Sequence, residues 1–367
     1  MIVTAKSRFR KKKILIFAVI SLIIGFLLSI PYANSAQTAM AISNQNTFTD
    51  QSGRIFNIKR PFRRIISLYG AHTENLYALG ADDSIIGVGD NQDYPPKVKV
   101  KKVYSYHDDA EKFLAAHPDL ILIRSMISRA YPGLIARLEQ SGICVVSLQP
   151  ANLFQMYDYW RILGILTGKK HTADKMVTAF QDAIKAYENM TNSITPKKRV
   201  YLEAIHDKMK TFTPAAMAAA VLKMAGGLNA ASDAPQVRRT NIAYYGKEHI
   251  LSKADQIDVY LAQFGAMNHP TIAMIKNEPG FDVIKAVREN QIFIIDEAII
   301  SRPTPRLLKG IYTMGRILYP ARFKHKGQKI LRSCAKTPFW AQILRWDQEF
   351  NPQNTSCIPA VEHSAPP

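Results

Sequence analysis

The sequence predicts an α/β protein of two lobes with mostly parallel sheets, joined by one long α-helix, with a cleft between the lobes. Three observations predict it. Short β-branched runs alternate with short helical patterns over residues 63–148 and again over 199–320, and such alternation builds parallel sheets flanked by helices. One long helical stretch separates the two series. A chain of 367 residues is long enough for two cores of ordinary domain size.

The first lobe spans residues 62–152. Its strands are read at IISLY (65–69), SIIGVG (84–89), LILIR (120–124) and ICVVSL (143–148). Between them lie TENLYALG, which Thr73 can cap and Gly80 can end, then DAEKFLAAHPD, ending at Pro118, and YPGLIARLEQSG, ending at Gly142. Residues 153–196 form a helical segment, with the interlobe helix at about 171–192. There Met176, Phe180, Ile184 and Tyr187 fall on one face, spaced as a helix requires. The second lobe, 197–320, has strands at 199–205, 257–264 and 291–296 and helices at 214–227, 246–255, 281–290 and 304–320. The extension 321–367 is less regular, rich in Arg, Lys, Pro and Asn, and is placed outside the second lobe.

The N-terminus carries its own signal. Residues 1–13 hold six Lys/Arg and no acid, and residues 14–30 are seventeen uncharged, mostly apolar positions followed by PYANSAQTAMA. A basic start, an apolar run and then small residues form a secretory signal over 1–36, with cleavage after Ser35, Ala36 or Ala41. Retention as an anchor through 14–30 is the alternative. No Cys follows the run to carry an acyl lipid. The chain is expected to be exported.

Net charge is +19, and setting aside the six N-terminal positives leaves +13. Such a surplus draws anions. Apart from 97–102 and 322–329 the basic residues are scattered, and no zinc-finger or RNA-binding aromatic pattern occurs, so nucleic acid is not the expected partner. Cys144 lies in an apolar strand and reads as an inert thiol. Cys334 and Cys357 lie in the tail, where an exported chain can pair them.

A ligand held between two such lobes sits outside the carboxyl ends of the strands, on the loops that leave them. Those loops carry Tyr69, Gly70, Ala71 and His72; residues 91–94 with Tyr94; Tyr106 and His107; Arg124 and Ser125; His206 through Lys210; Phe264 and Asn268; and Arg302. Aromatic faces suit a flat or greasy ligand, and Arg and Lys suit anionic groups such as carboxylates or phenolates. No pair among His72, His107, His206, His249 and His269 has a zinc spacing, so direct metal ligation by the chain is not expected. There is no nucleophile elbow, phosphate loop or dinucleotide fingerprint. A binding protein without catalysis or resident cofactor is the reading these features favour, against a metal-dependent enzyme acting on chelates.

The segments HTENLYALGADDSIIGVGDNQDYPPKV, AEKFLAAHPDLILI, YYGKEHILSKADQIDVYL and ENQIFIIDEAIISRPTPRLL occur in this order. They resemble the class III periplasmic substrate-binding proteins of ABC importers, the vitamin B12-, ferric siderophore- and haem-binding family, over roughly residues 62–320. The resemblance implies a monomer that traps a metal chelate in the ligand cleft and hands it to the transmembrane permease subunits. Glu111 and Glu248 match the family's two docking carboxylates, one per lobe, each suited to a bidentate pair with a permease Arg. Glu74 matches a Thr-Glu pair and is read as structural, near a helix N-terminus. The sequence departs from the family at Tyr69-Gly70, where a small residue or Pro is usual, and near Tyr106, where Trp is common. The positive charge favours an anionic ferric siderophore as cargo, ahead of cobalamin and haem. A packed interlobe helix implies a small closure on binding.

Overall fold

The computed structural model describes residues 40–90, 92–236 and 240–334. Three short antiparallel strands come first: β1 (Ala41–Ile42), β2 (Thr47–Thr49) and β3 (Ile55–Asn57). The sequence reading does not anticipate this meander. Its one fully buried ring, Phe48, stacks on Phe56 at 5.4 Å. Asp50, 0% exposed, fastens it to the first lobe. Its carboxylate accepts from the Arg54 guanidinium at 2.7 Å and from the Ser147 backbone N–H at 3.2 Å.

The first lobe holds β4 (Ile65–Ser67), β5 (Ile85–Gly89), β6 (Lys102–Tyr104), β7 (Leu120–Ile123) and β8 (Cys144–Ser147), all parallel in the order β6-β5-β4-β7-β8. The central strands β4 and β7 are buried at every position, as continuous apolar runs in a doubly covered sheet must be. The helix Gly70–Ala78 lies on one face and is buried from Ala71 onward, so it carries polar residues into the interior. Helices Ala110–Leu114, Ser125–Ala130 and Pro132–Gln140 belong to the second apolar cluster of this lobe, with Phe113, Ile127 and Leu138 buried in it.

The helical segment is two helices. Leu153–Thr167 is capped by the Asn152 side chain, which accepts from the Gln155 N–H. It ends at Gly168, whose φ of 72° stops the helix, and Lys170–Thr191 follows. The sequence reads 153–192 as helical throughout; the left-handed Gly168 breaks it. Along the second helix Met176, Phe180 and Tyr187 are buried as expected, while Ile184 is only half-buried. Trp160 meets Phe180 edge-on at 5.2 Å. One apolar cluster runs from Ile65 and Leu120 in the first lobe, through Trp160 and Phe180, to Leu202, Val259 and Leu308 in the second.

The second sheet has a parallel core, in keeping with the expectation, and a short antiparallel flank on one side. It holds β9 (Arg199–Ile205), β10 (Lys210–Phe212), β11 (Leu228–Asn229), β12 (Ile242–Tyr244), β13 (Val259–Phe264) and β14 (Ile292–Asp296). The order is β12-β10-β9-β13-β14, with β11 also on β9. β9, β13 and β14 are parallel, but β10 returns antiparallel to β9 and pairs antiparallel with β12. The return is made by the turn His206–Lys208 and Met209 at φ 45°. The helix Leu307–Leu318 closes the lobe, and the described part of the tail wraps the long helix. Phe323 stacks on Tyr187 at 5.9 Å, and Arg322 donates to Met190 O at 2.7 Å.

At Gly310 an added Cβ would lie 2.0 Å from the Ile299 carbonyl oxygen, so the helix Leu307–Leu318 can touch the segment after β14 only without a side chain there. Gly310→Ala should lower stability by about 2 kcal/mol in chemical denaturation. The control Gly133→Ala, which meets open space, should leave it unchanged or raise it by up to about 1 kcal/mol.

Candidate functional site

The carboxyl ends of both sheets carry the loops singled out from the sequence. Tyr69 follows β4 in extended conformation, with φ −143°, and starts the helix Gly70–Ala78. Arg124 follows β7, and its guanidinium stands 5.4 Å from the Tyr69 ring centroid. Arg302, from the second lobe, reaches the same spot: its Nη1 lies 3.1 Å from where a Cβ on Gly70 would be. A glycine here lets the second-lobe guanidinium approach the first-lobe backbone. Burial pushes the Tyr69 phenol up to about 12, against the opposing pull of Arg124 and Arg302, with Glu297 and Glu74 adding to the rise. Tyr69 is therefore a neutral phenol flanked by one cation from each lobe.

The rim beside it is aromatic and basic. Arg306 lies 4.0 Å over the Tyr94 ring centroid. Gln92 bridges back to the sheet, donating to Ser67 O at 3.1 Å. On the second lobe Phe264, half-buried at the end of β13, meets His269 edge-on at 5.1 Å. Lys210 is half-buried on β10. Glu297 opens the helix after β14 and accepts from the Ala266 N–H at 3.2 Å. Among the described residues no three His, Cys, Asp or Glu side chains converge as a metal site.

Two predicted lining residues are removed by burial. His72 is 0% exposed. Its Nε2 donates to Ile123 O at 3.1 Å, which leaves Nδ1 to accept from the Tyr159 hydroxyl at 2.7 Å. Burial, the dominant influence, lowers its pKa to about 4. It is a neutral core histidine, tying β7 to the helix Leu153–Thr167. His206 is 5% exposed, and its Nδ1 donates to Glu203 at 2.8 Å. Glu203 also accepts from the Tyr260 hydroxyl at 2.5 Å and from Asn268 Nδ2 at 3.2 Å. The hydrogen bond to Glu203 raises the His206 pKa above its usual value. Both imidazoles are structural because each has polar partners inside the fold.

Tyr106 belongs to a different corner. Its ring contacts are with His107 at 4.4 Å and Tyr131 at 5.2 Å, and Tyr131 shares a 3.0 Å hydrogen bond with His107. These rings line a hollow of about 310 Å³ with Asp108, Asp109 and Arg137. None of Tyr69, Arg124 or Arg302 lines it. Glu111 lies beside it, in the first turn of Ala110–Leu114, with its side chain 61% exposed and ion-paired to Arg137. Glu248 is exposed in the first turn of Lys247–Leu251. Cys334 is buried; the Cys334–Cys357 pairing, like the signal segment, lies outside the described residues.

Sequence reasoning missed the partners of Glu74. Its Oε1 faces Arg302 at 3.2 Å and Arg306 at 3.4 Å, both from the second lobe. Burial holds its carboxyl above the usual range, with the two guanidiniums pulling the other way.

Residues 65–299 match the family described as periplasmic binding protein. This chain belongs to that family. The binding protein is 27% identical over 283 residues to an uncharacterized ABC transporter substrate-binding lipoprotein of Bacillus subtilis, covering 76% of this chain and 87% of the relative. It is 24% identical over 257 residues to a vitamin B12-binding protein of Vibrio cholerae, covering 68% and 87%. A possible iron-binding, periplasmic solute-binding protein from Staphylococcus epidermidis shares its fold with TM-score 0.62 and 27% identity, over 71% of this chain and all of that one.

The state of His72 fixes a pH dependence. Folded, it titrates near 4, against 6.5 for an ordinary histidine, so only the unfolded chain takes up the proton between those values. Its contribution is complete above about pH 6.5 and falls by about 3 kcal/mol as pH drops towards 4. His72→Gln should flatten the measured stability–pH slope in that window by about one proton. His206, with a raised pKa, acts in the opposite sense: its contribution is present below the ordinary value and is lost as pH rises through the folded one.

Proposed function

We propose that this binding protein is the exported, periplasmic solute-binding component of an ABC importer and that its cargo is an anionic iron chelate, a ferric siderophore above all. The observation that carries the reading is Tyr69 set between Arg124 of one lobe and Arg302 of the other. A phenolate- or carboxylate-bearing chelate could take charge-assisted hydrogen bonds from both guanidiniums while lying against the Tyr69 and Tyr94 rings. Arg124 makes no ion pair among the described residues, so its charge is available to a guest. The metal travels with the cargo and is not held by the chain. Cobalamin is the second reading, favoured by the vitamin B12-binding relative; haem follows. No bond is made or broken in this role, and the chain acts as a monomer.

Delivery uses Glu111 and Glu248, one exposed carboxylate on each lobe, as the permease contacts. The apolar core that runs through the long helix restricts the lobes to a small closure.

Titration of the purified protein with a ferric catecholate, a ferric hydroxamate, haemin and cyanocobalamin, followed by fluorescence quenching, tests the cargo. The anionic ferric chelate should bind tightest, and Arg124→Ala should weaken it by about tenfold or more. Tighter binding of cyanocobalamin, indifferent to Arg124→Ala, would replace the siderophore reading with the cobalamin one. Glu111→Ala with Glu248→Ala should leave chelate affinity unchanged and abolish most uptake in a reconstituted importer; unchanged uptake would remove the docking assignment.

A further inference from the structure

Glu74 sits on the first-lobe helix Gly70–Ala78 and is 3% exposed, yet both of its cations come from residues 302–306 of the second lobe. One carboxylate oxygen faces two guanidiniums. The same segment is gripped at its backbone: Pro303 O accepts from Asn75 Nδ2 at 3.0 Å and from the Trp160 indole N–H at 3.2 Å. Arg306 is further covered by the Tyr94 ring at 4.0 Å. Burial of this carboxylate disfavours its charged form, and a hydrogen bond with the Thr304 side chain favours it. Desolvation is the local penalty that the contact has to meet. The attraction between Glu74 and the two arginines is the opposing force, and removing one partner of a buried pair leaves the other charge uncompensated.

We infer that Glu74 is a positioning residue for the cleft. Its carboxylate anchors the 302–306 segment in the first lobe, and thereby fixes both the spacing of the lobes and the place of the Arg302 guanidinium beside Tyr69. Arg302 turns Nη1 to Glu74 while remaining 25% exposed, so its other N–H groups are left for the cleft. Arg306, 10% exposed, is the inner half of the anchor. The inference stands on the lobe junction alone and holds for any cargo.

The Trp160 indole N–H reports on the anchor directly, because its acceptor is Pro303 O. In the full chain, hydrogen exchange at this indole, assigned through Trp160→Phe, should accelerate about tenfold or more in Glu74→Gln, while amides of β13 such as Leu261 and Ala262 change by less than about threefold. Glu74→Asp, which keeps the charge but shortens its reach, should give the same local pattern with a smaller amplitude and serves if Glu74→Gln does not fold. Arg302→Gln should produce part of the effect, since Arg306 still holds the carboxylate. An indole rate that is unchanged, or that rises in step with β13, would overturn the inference, the second outcome marking a general loss of stability. Because no ligand is needed, a failed chelate titration leaves this result standing, and a failure here leaves the cargo reading untouched.

Discussion

One unbroken apolar core beneath both lobes is the constraint on which the rest of the molecule depends. Trp160 and Phe180 sit at its centre, on the two helices that follow the first lobe, and the cluster continues into both sheets. Two separately packed lobes on a flexible linker would let their strand ends drift. Here one packed apolar cluster reaches both sheets, and interiors packed at crystal-like density resist deformation. The wrapping tail adds to this, since Phe323 fills the groove over Gly315, where an added Cβ would come within 2.1 Å of its ring.

On this apolar base the polar groups divide by environment. His72 and His206 are supplied with partners inside the protein and take no part at the surface. Arg124 and Arg302 retain exposure and meet at Tyr69. The division follows from desolvation: a buried group must find hydrogen bonds within the fold, and a group that has found them has little left to offer a guest. Arg302 does both, pairing inward with Glu74 and remaining one-quarter exposed.

Much of the scaffold was legible in the sequence. The strands at 65–69, 120–124 and 143–148 are apolar runs bounded by Pro or Gly, and the structure places strands within them. The meander β1–β3 and the hairpin partners β10 and β12 were not legible, because strands of two or three residues carry no periodicity to read. The antiparallel return after His206 depends on Met209 adopting a left-handed conformation that a non-glycine sequence does not advertise. At the site, the loops followed from the rule that ligands sit beyond strand carboxyl ends, and Tyr69 and Arg124 came with them. The burial of His72 did not follow, because its helix is covered all round and lacks the polar face that would show direction. The pairing of Glu74 with Arg302 spans 228 positions, and no local pattern encodes it.

The small N-terminal meander has a consequence for the life of the chain before it reaches its partner. β8 is an outer strand of the first sheet, and a bare outer strand offers unpaired N–H and C=O groups to any neighbouring molecule. Gln51 N–H donates to Ser147 O at 2.9 Å, and Asp50 accepts from the Ser147 N–H, so both main-chain groups at the end of that strand are occupied from within. A buried aspartate thus acts as a stopper against edge-to-edge aggregation, guarding solubility at the margin of the sheet.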